Sequence, residues 1–211
     1  MTILEKIQTN LNNEISLIGN KNTENGNCIL IIGVVHGDEP QGEFLINNYL
    51  KTHNIPTNIL FIPSLNPDGQ QLQTRTNAND VDINRNFPTE NWTLGEKNRY
   101  FGGETPASEK ETQFIINIIE KYAPKLIITL HTPFKIVNFD GEAREISEKI
   151  AKIFNYPTEE SIGYPTPGSF GTWAGIERQI PTITIEMDEE CSPHDLVQPF
   201  NLMLEMLTSL K

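Results

Sequence analysis

The chain has 211 residues, enough for one large domain with a hydrophobic core of its own. Lys plus Arg is 16 against 28 Asp plus Glu, and a formal net charge of −12 argues against nonspecific contacts to nucleic-acid phosphates. Hydrophobic residues make up 37% and charged residues 21%, which argues against disorder, collagen and coiled coil, and no apolar run approaches the roughly 18 residues of a membrane helix.

In chain order, Met1-Thr-Ile-Leu-Glu-Lys-Ile7 lacks the basic, apolar and small-residue succession of an export signal. A polar run over 19–27 reads as a surface turn joining this short segment to the main body. Cys28–Val35 reads as a buried strand, Glu39–Leu50 as a helix and Ile59–Pro63 as a second strand. Ala107–Tyr122 reads as a helix, with Phe114, Ile115, Ile118 and Ile119 on one face and Ser108 with Glu111 as a capping box. Leu126–Leu130 is a third strand, Ala143–Phe154 a helix, Thr182–Ile185 a fourth strand and Pro193–Leu210 a closing amphipathic helix. Continuous apolar strands imply a sheet covered on both faces, and their alternation with helices implies mostly parallel pairing. The expected fold is a single layered α/β domain over 1–211, a mixed, mostly parallel sheet flanked by helices. Cys28 in an apolar run and Cys191 in a polar loop give no disulfide framework, so the expected compartment is the cytoplasm, with neither membrane nor nucleic acid as partner.

Ligands of such sheets gather beyond the carboxyl ends of the strands, where most of the chemically capable residues fall. His36 and Glu39 follow the first strand three residues apart, so a turn opening into a helix can aim both at one point. Imidazole nitrogen and carboxylate oxygen suit zinc, whose catalytic sites use three protein ligands; a helix N-terminus with an acidic first turn is the plainer reading. His131 ends the third strand and Glu186 the fourth. A carboxylate closing an apolar strand costs free energy unless it is paired or functional, and Glu186 could serve as a general base. His53 and His194 lie in polar stretches and read as solvated. The loop from Arg75 to Pro88 offers two arginines and several amides, suited to carboxylates and to a developing oxyanion. A second loop, Tyr164 to Trp173, mixes aromatics with Gly and Pro as a flap or pocket wall does.

Taken in order, His36-x-x-Glu39, Asn66-Pro-Asp-Gly69, Asp82-Ile-Asn84-Arg85-Asn-Phe87, Ser108-Glu-Lys-Glu111, His131 and Glu186 resemble the M14 zinc carboxypeptidases from about Cys28 to about Glu186. The spacings from Tyr164 to Trp173 and from Trp173 to Glu186 agree as well. The resemblance implies one zinc ion per chain, held by His36, Glu39 and His131, with Asp82 orienting His36. It implies that Glu186 moves the proton between water and the leaving amine, and that Arg75 steadies the oxyanion. Asn84 and Arg85 would clamp a terminal carboxylate and Tyr164 would close over the substrate, a small peptide with a free carboxylate. Gly171, two before the flap tryptophan, falls where the family sorts side chains; it leaves room for a long one but supplies no group to hold a distal amine. Within the family, the loops Arg75–Pro88 and Gly163–Trp173 resemble the amidases of murein peptides, which implies cleavage of the γ-D-Glu–meso-diaminopimelate bond in L-Ala-γ-D-Glu-meso-diaminopimelate. Other C-terminal residues, or N-acyl amino acids as in the succinylglutamate desuccinylase type, remain alternative substrates at this point. A non-catalytic peptide-binding domain is the remaining alternative, although every expected catalytic residue is present.

Overall fold

The structure, a computed structural model, describes residues 2–160 and 164–210. Gly163, the start of the second murein-type loop, lies outside the described residues. Strands β1 (Thr2–Gln8) and β2 (Glu14–Gly19) form an antiparallel hairpin. They are followed by β3 (Ile29–Ile32), helix α1 (Gln41–Thr52), β4 (Ile59–Ile62) and the short α2 (Pro67–Leu72). After a long loop come α3 (Lys110–Tyr122), β5 (Leu126–His131), β6 (Ile136–Asp140), α4 (Arg144–Phe154), β7 (Thr158–Glu159), β8 (Thr182–Glu186) and α5 (Val197–Thr208).

The eight strands of the described residues join one sheet in the order β1-β2-β4-β3-β5-β8-β6-β7. Its centre, β4-β3-β5-β8, is parallel, while β2 on one side and β6 on the other pair antiparallel to it. Every residue of β3, β4 and β5 is buried, which is why these strands read as unbroken apolar runs. Alternate residues face opposite layers. Ile29, Ile31, Phe61 and Ile128 meet α1, α4 and α5, whereas Leu30, Ile32, Ile62 and Ile127 meet α3 and Trp173. On α3 the four apolar residues of the predicted face are all buried, each contributing about 1.5–3 kcal/mol.

The hairpin, β6 and β7 carry little sequence signal. β1 alternates exposed and half-buried positions on an edge, and β7 has only two residues. The predicted capping box does not form. α3 starts at Lys110, with Glu109 in the cap position and no side-chain cap bond. Ser108 instead donates to Glu109 at 2.6 Å, and buried Glu111 accepts from Asn77 at 3.2 Å. The polar loop before the helix thus claims both side chains. No described helix is long and apolar enough to cross a membrane.

Candidate active site

The first site turn leaves β3 through a strained corner. Val34 has φ 48°, a left-handed conformation that is costly for a β-branched residue. The backbone of Asn66 donates to the Val34 carbonyl at 2.9 Å, and its side chain donates to the Val35 carbonyl at 3.3 Å. The same side chain caps α2 by accepting from the Gly69 N–H at 2.9 Å. A Cβ on Gly37 would come within 2.0 Å of the Gly69 carbonyl carbon, so two backbones touch where the turn passes α2. Asp68, in the same motif, accepts from Thr9, from the Leu11 N–H at 3.0 Å and from Asn13 at 2.8 Å, tying the N-terminal hairpin to this region. The Asn66-Pro-Asp-Gly69 motif therefore serves the position of His36 rather than the chemistry.

α1 begins at Gln41, two residues after the predicted start, which leaves Glu39 in the turn with His36. His36 Nδ1 lies 2.9 Å from one Glu39 carboxylate oxygen, and His131 Nδ1 lies 2.9 Å from the other. The two Nδ1 atoms are 3.2 Å apart. Ligands held about 2.0–2.1 Å from a tetrahedral zinc stand roughly 3.3 Å from one another. Two nitrogens and an oxygen at this spacing, buried and drawn from the ends of two strands, fit such an ion; this is the one such group among the described residues.

Around the group, Asp82 is fully buried with Oδ1 3.3 Å from His36 Nε2. That oxygen also accepts from the Asn84 N–H at 2.9 Å, and Oδ2 accepts from Arg75 Nε at 2.9 Å. Burial alone would lower the His36 pKa, but Glu39 and Asp82 outweigh it and push it up to about 9. Burial would likewise raise both carboxyls, yet the imidazoles beside Glu39, and His36 with the arginines beside Asp82, hold each well below the usual carboxylate range. His131, more simply, is lowered by burial. The cluster is therefore a compact negative site that takes up either protons or a cation.

Glu186 pairs in register with His131 across β5 and β8 and is only 7% exposed. Its Oε2 has no partner, and burial, with Glu39 nearby, pushes its carboxyl up to about 8. Asn84 accepts from the Phe170 N–H at 2.9 Å through Oδ1, which turns its amide nitrogen toward open space. Arg85 is anchored on the Asn84 carbonyl at 2.6 Å. Tyr164 is 44% exposed at the rim. Two cavities share Asn84, Tyr164 and Glu186. One, of about 220 Å³, continues to His36, Glu39, Arg75 and Arg85. The other, of about 180 Å³, runs to Thr129, Asn138, Asp140 and Gly171.

All ten residues singled out in the sequence thus line or adjoin one site, while His53 and His194 lie on the surface, stacked on Tyr49 and edge-on to Phe44. The sequence reading missed two features of this site. Tyr100 lies among three guanidinium groups, those of Arg75, Arg99 and Arg85, at 5.1, 5.5 and 6.0 Å from its ring centre. Asp140 closes the apolar β6 as Glu186 closes β8, and that shared pattern was the available signal.

Comparison with known proteins agrees with this geometry. The family profile described as zinc carboxypeptidase matches residues 6–203. Murein peptide amidase A of Vibrio campbellii is 37% identical over 173 residues, 75% of this chain and 68% of its own length. The protein of the same name from Escherichia coli K12 is 35% identical over 163 residues, 68% of this chain and 64% of its own length. The alignments thus span about two thirds of these relatives. Among solved structures, murein-tripeptide amidase MpaA from Escherichia coli O157 superposes with a TM-score of 0.86 at 28% identity, covering 97% of this chain and 90% of that one. Thrombin activatable fibrinolysis inhibitor, at 17% identity and TM-score 0.74 over 98% of this chain and 68% of its own, shares the fold.

Proposed function

The chain belongs to the zinc carboxypeptidase family, and from that premise we propose that it hydrolyses the γ-D-Glu–meso-diaminopimelate amide of murein tripeptide, an amide next to a free carboxylate. The observation that carries the reading is the convergence of His36, Glu39 and His131 at metal-ligand spacing beside the unpartnered Glu186. Relatives at 35–37% identity named as murein peptide amidases favour this substrate over N-acyl amino acids.

His36 and His131, each through Nδ1, and Glu39 through its carboxylate would hold one zinc ion. When bound there, zinc supplies Lewis-acid chemistry, polarising a carbonyl and making water nucleophilic at neutral pH. Asp82 fixes the ring of His36 and raises its basicity. Glu186 takes a proton from the attacking water and delivers it to the nitrogen of the leaving amine, so the C–N bond breaks to a γ-carboxyl group and free diaminopimelate. Arg75 spends Nε on Asp82 and keeps its terminal nitrogens for the developing oxyanion. The Asn84 amide nitrogen and the Arg85 guanidinium bind the terminal carboxylate, and Tyr164 closes the rim. The test is incubation of zinc-loaded protein with murein tripeptide and mass detection of products. Free diaminopimelate with L-Ala-D-Glu supports the assignment; turnover confined to N-acyl amino acids would overturn it.

A further inference from the structure

We propose that Arg99, carried beside Tyr100 at the mouth of the site, binds a carboxylate on the acyl side of the scissile bond. That carboxylate stands four bonds from the carbonyl carbon, as the α-carboxylate of a γ-linked D-Glu does. The inference rests on the hydrolase reading above and gives a role to a residue that reading leaves without one.

The cavities give the substrate its direction. The one that reaches Gly171 shares Asn84, Tyr164 and Glu186 with the one that holds His36 and Glu39. The leaving residue, with its terminal carboxylate on Asn84 and Arg85, extends that way. A third cavity, of about 580 Å³, shares Asp38, Arg75 and Arg99 with the central one and no described residue with the first. The acyl part, which continues from the other side of the reacting carbon, is led into it past Arg75 and Arg99.

Charge marks the entrance. Arg75, Arg85 and Arg99, three of the chain's five arginines, stand within 6.0 Å of one Tyr100 ring centre. Guanidinium groups gathered this closely repel one another, and in a chain of net charge −12 they form a local field that attracts anions. Two of them are committed: Arg75 spends Nε on Asp82 at 2.9 Å, and Arg85 is anchored on the Asn84 carbonyl at 2.6 Å. Arg99 is not. Among the described residues it donates no hydrogen bond, its nearest carboxylate, on Asp38, lies 3.8 Å away, and its side chain is 61% exposed. Lys97, the remaining cation of this lining, is paired with Glu104 at 2.6 Å. Stacking on half-exposed Tyr100 holds the Arg99 guanidinium in place and leaves its N–H groups for a ligand.

The reach agrees. Because Arg75 and Arg99 stand against the same ring, their guanidinium carbons lie at most about 11 Å apart. From a scissile carbonyl carbon to the α-carboxylate carbon of γ-D-Glu is four bonds, roughly 5 Å when extended. A hydrogen bond of about 2.9 Å at each end extends the span to roughly 11 Å. Arg75 can therefore face the oxyanion while Arg99 holds the carboxylate. An α-linked Glu carries its side-chain carboxylate the same four bonds away, so the site reads the group and not the linkage. Asp38 and Asp80, in the same lining, suit the free ammonium of an N-terminal residue beyond it.

The experiment uses zinc-loaded protein and L-Ala-γ-D-Glu-meso-diaminopimelate beside its analogue in which the α-carboxylate of D-Glu is a carboxamide, neutral and of the same shape. A parallel pair of ordinary peptides carries Glu or Gln before the last residue. Wild type is expected to favour the acid over the amide by about 5- to 10-fold in kcat/KM, mainly through KM, a margin that shrinks as salt is added because the arginine is exposed. In Arg99→Gln the ratio should fall to within about twofold, and in Arg99→Glu it should reverse to favour the amide, an inversion that a merely structural role would not produce. Equal rates on acid and amide in wild type, or an undiminished preference in folded Arg99→Gln and Arg99→Glu, would overturn the inference. Cleavage of only the ordinary peptides, with an Arg99-dependent preference for Glu, would sink the murein reading and uphold this one. Turnover of neither series would overturn both.

Discussion

Asparagine at position 140 should stabilise the ligand-free protein at neutral pH. Burial moves the Asp140 carboxyl from 3.8 to about 6 in the folded chain. A raised carboxyl contributes stability that is fully present below its unfolded value, near 3.8, and is lost as pH rises through about 6. At 1.36 kcal/mol per pH unit this loss is about 3 kcal/mol by pH 7 to 8. The amide of Asn is nearly isosteric and carries no charge to desolvate, and no described hydrogen bond is broken. Asp140→Asn should therefore match wild type at pH 4 and exceed it by about 2–3 kcal/mol at pH 7.5, or about 5–10 °C in Tm for a chain of this size. Urea unfolding of metal-free protein at several pH values measures the difference. A gap that does not change with pH, or a variant less stable than wild type at pH 7.5, would refute the claim that the half-buried carboxylate has no partner among the described residues.

Two further outcomes follow from the site. Glu186→Gln should lose about three or more orders of magnitude in kcat on the tripeptide while retaining zinc, since this carboxylate is the proposed proton carrier and is not among the metal-spaced groups; metal analysis beside kinetics checks both halves. Gly37→Ala should cost about 2–4 kcal/mol and weaken zinc binding, because its Cβ would meet the Gly69 backbone at 2.0 Å and displace the turn that carries His36; calorimetric zinc titration together with Tm reads both effects.

Much of this site was legible because its residues end strands that declare themselves. β3, β5 and β8 are runs such as Leu126-Ile-Ile-Thr-Leu130, largely buried, and the ionisable residue at or just beyond the end of each, His36, His131 or Glu186, is a proposed site residue. The edges were not legible. β1 alternates Glu and Lys with Ile and Leu at positions half open to solvent, and β7 is too short for any periodicity. The Ser108–Glu111 pattern misled because a capping box is a local rule, and here Asn77 and Asn86 from a distant loop bind those side chains first. Asp140 stayed hidden for a related reason. Its place at a strand end could be read, but its position beside the site depends on β6 lying antiparallel to β8 and on Gly171 standing against it, and neither relation is local in sequence.

The most direct test is the zinc content of protein purified, stripped and reloaded, wild type beside His131→Ala. One zinc per chain in wild type and less than a tenth of that in the variant is expected, because His131 supplies one of three ligand atoms from a strand 92 residues beyond Glu39. Wild type that binds no zinc, or a folded His131→Ala that binds it as tightly, would contradict a metal centre built from His36, Glu39 and His131.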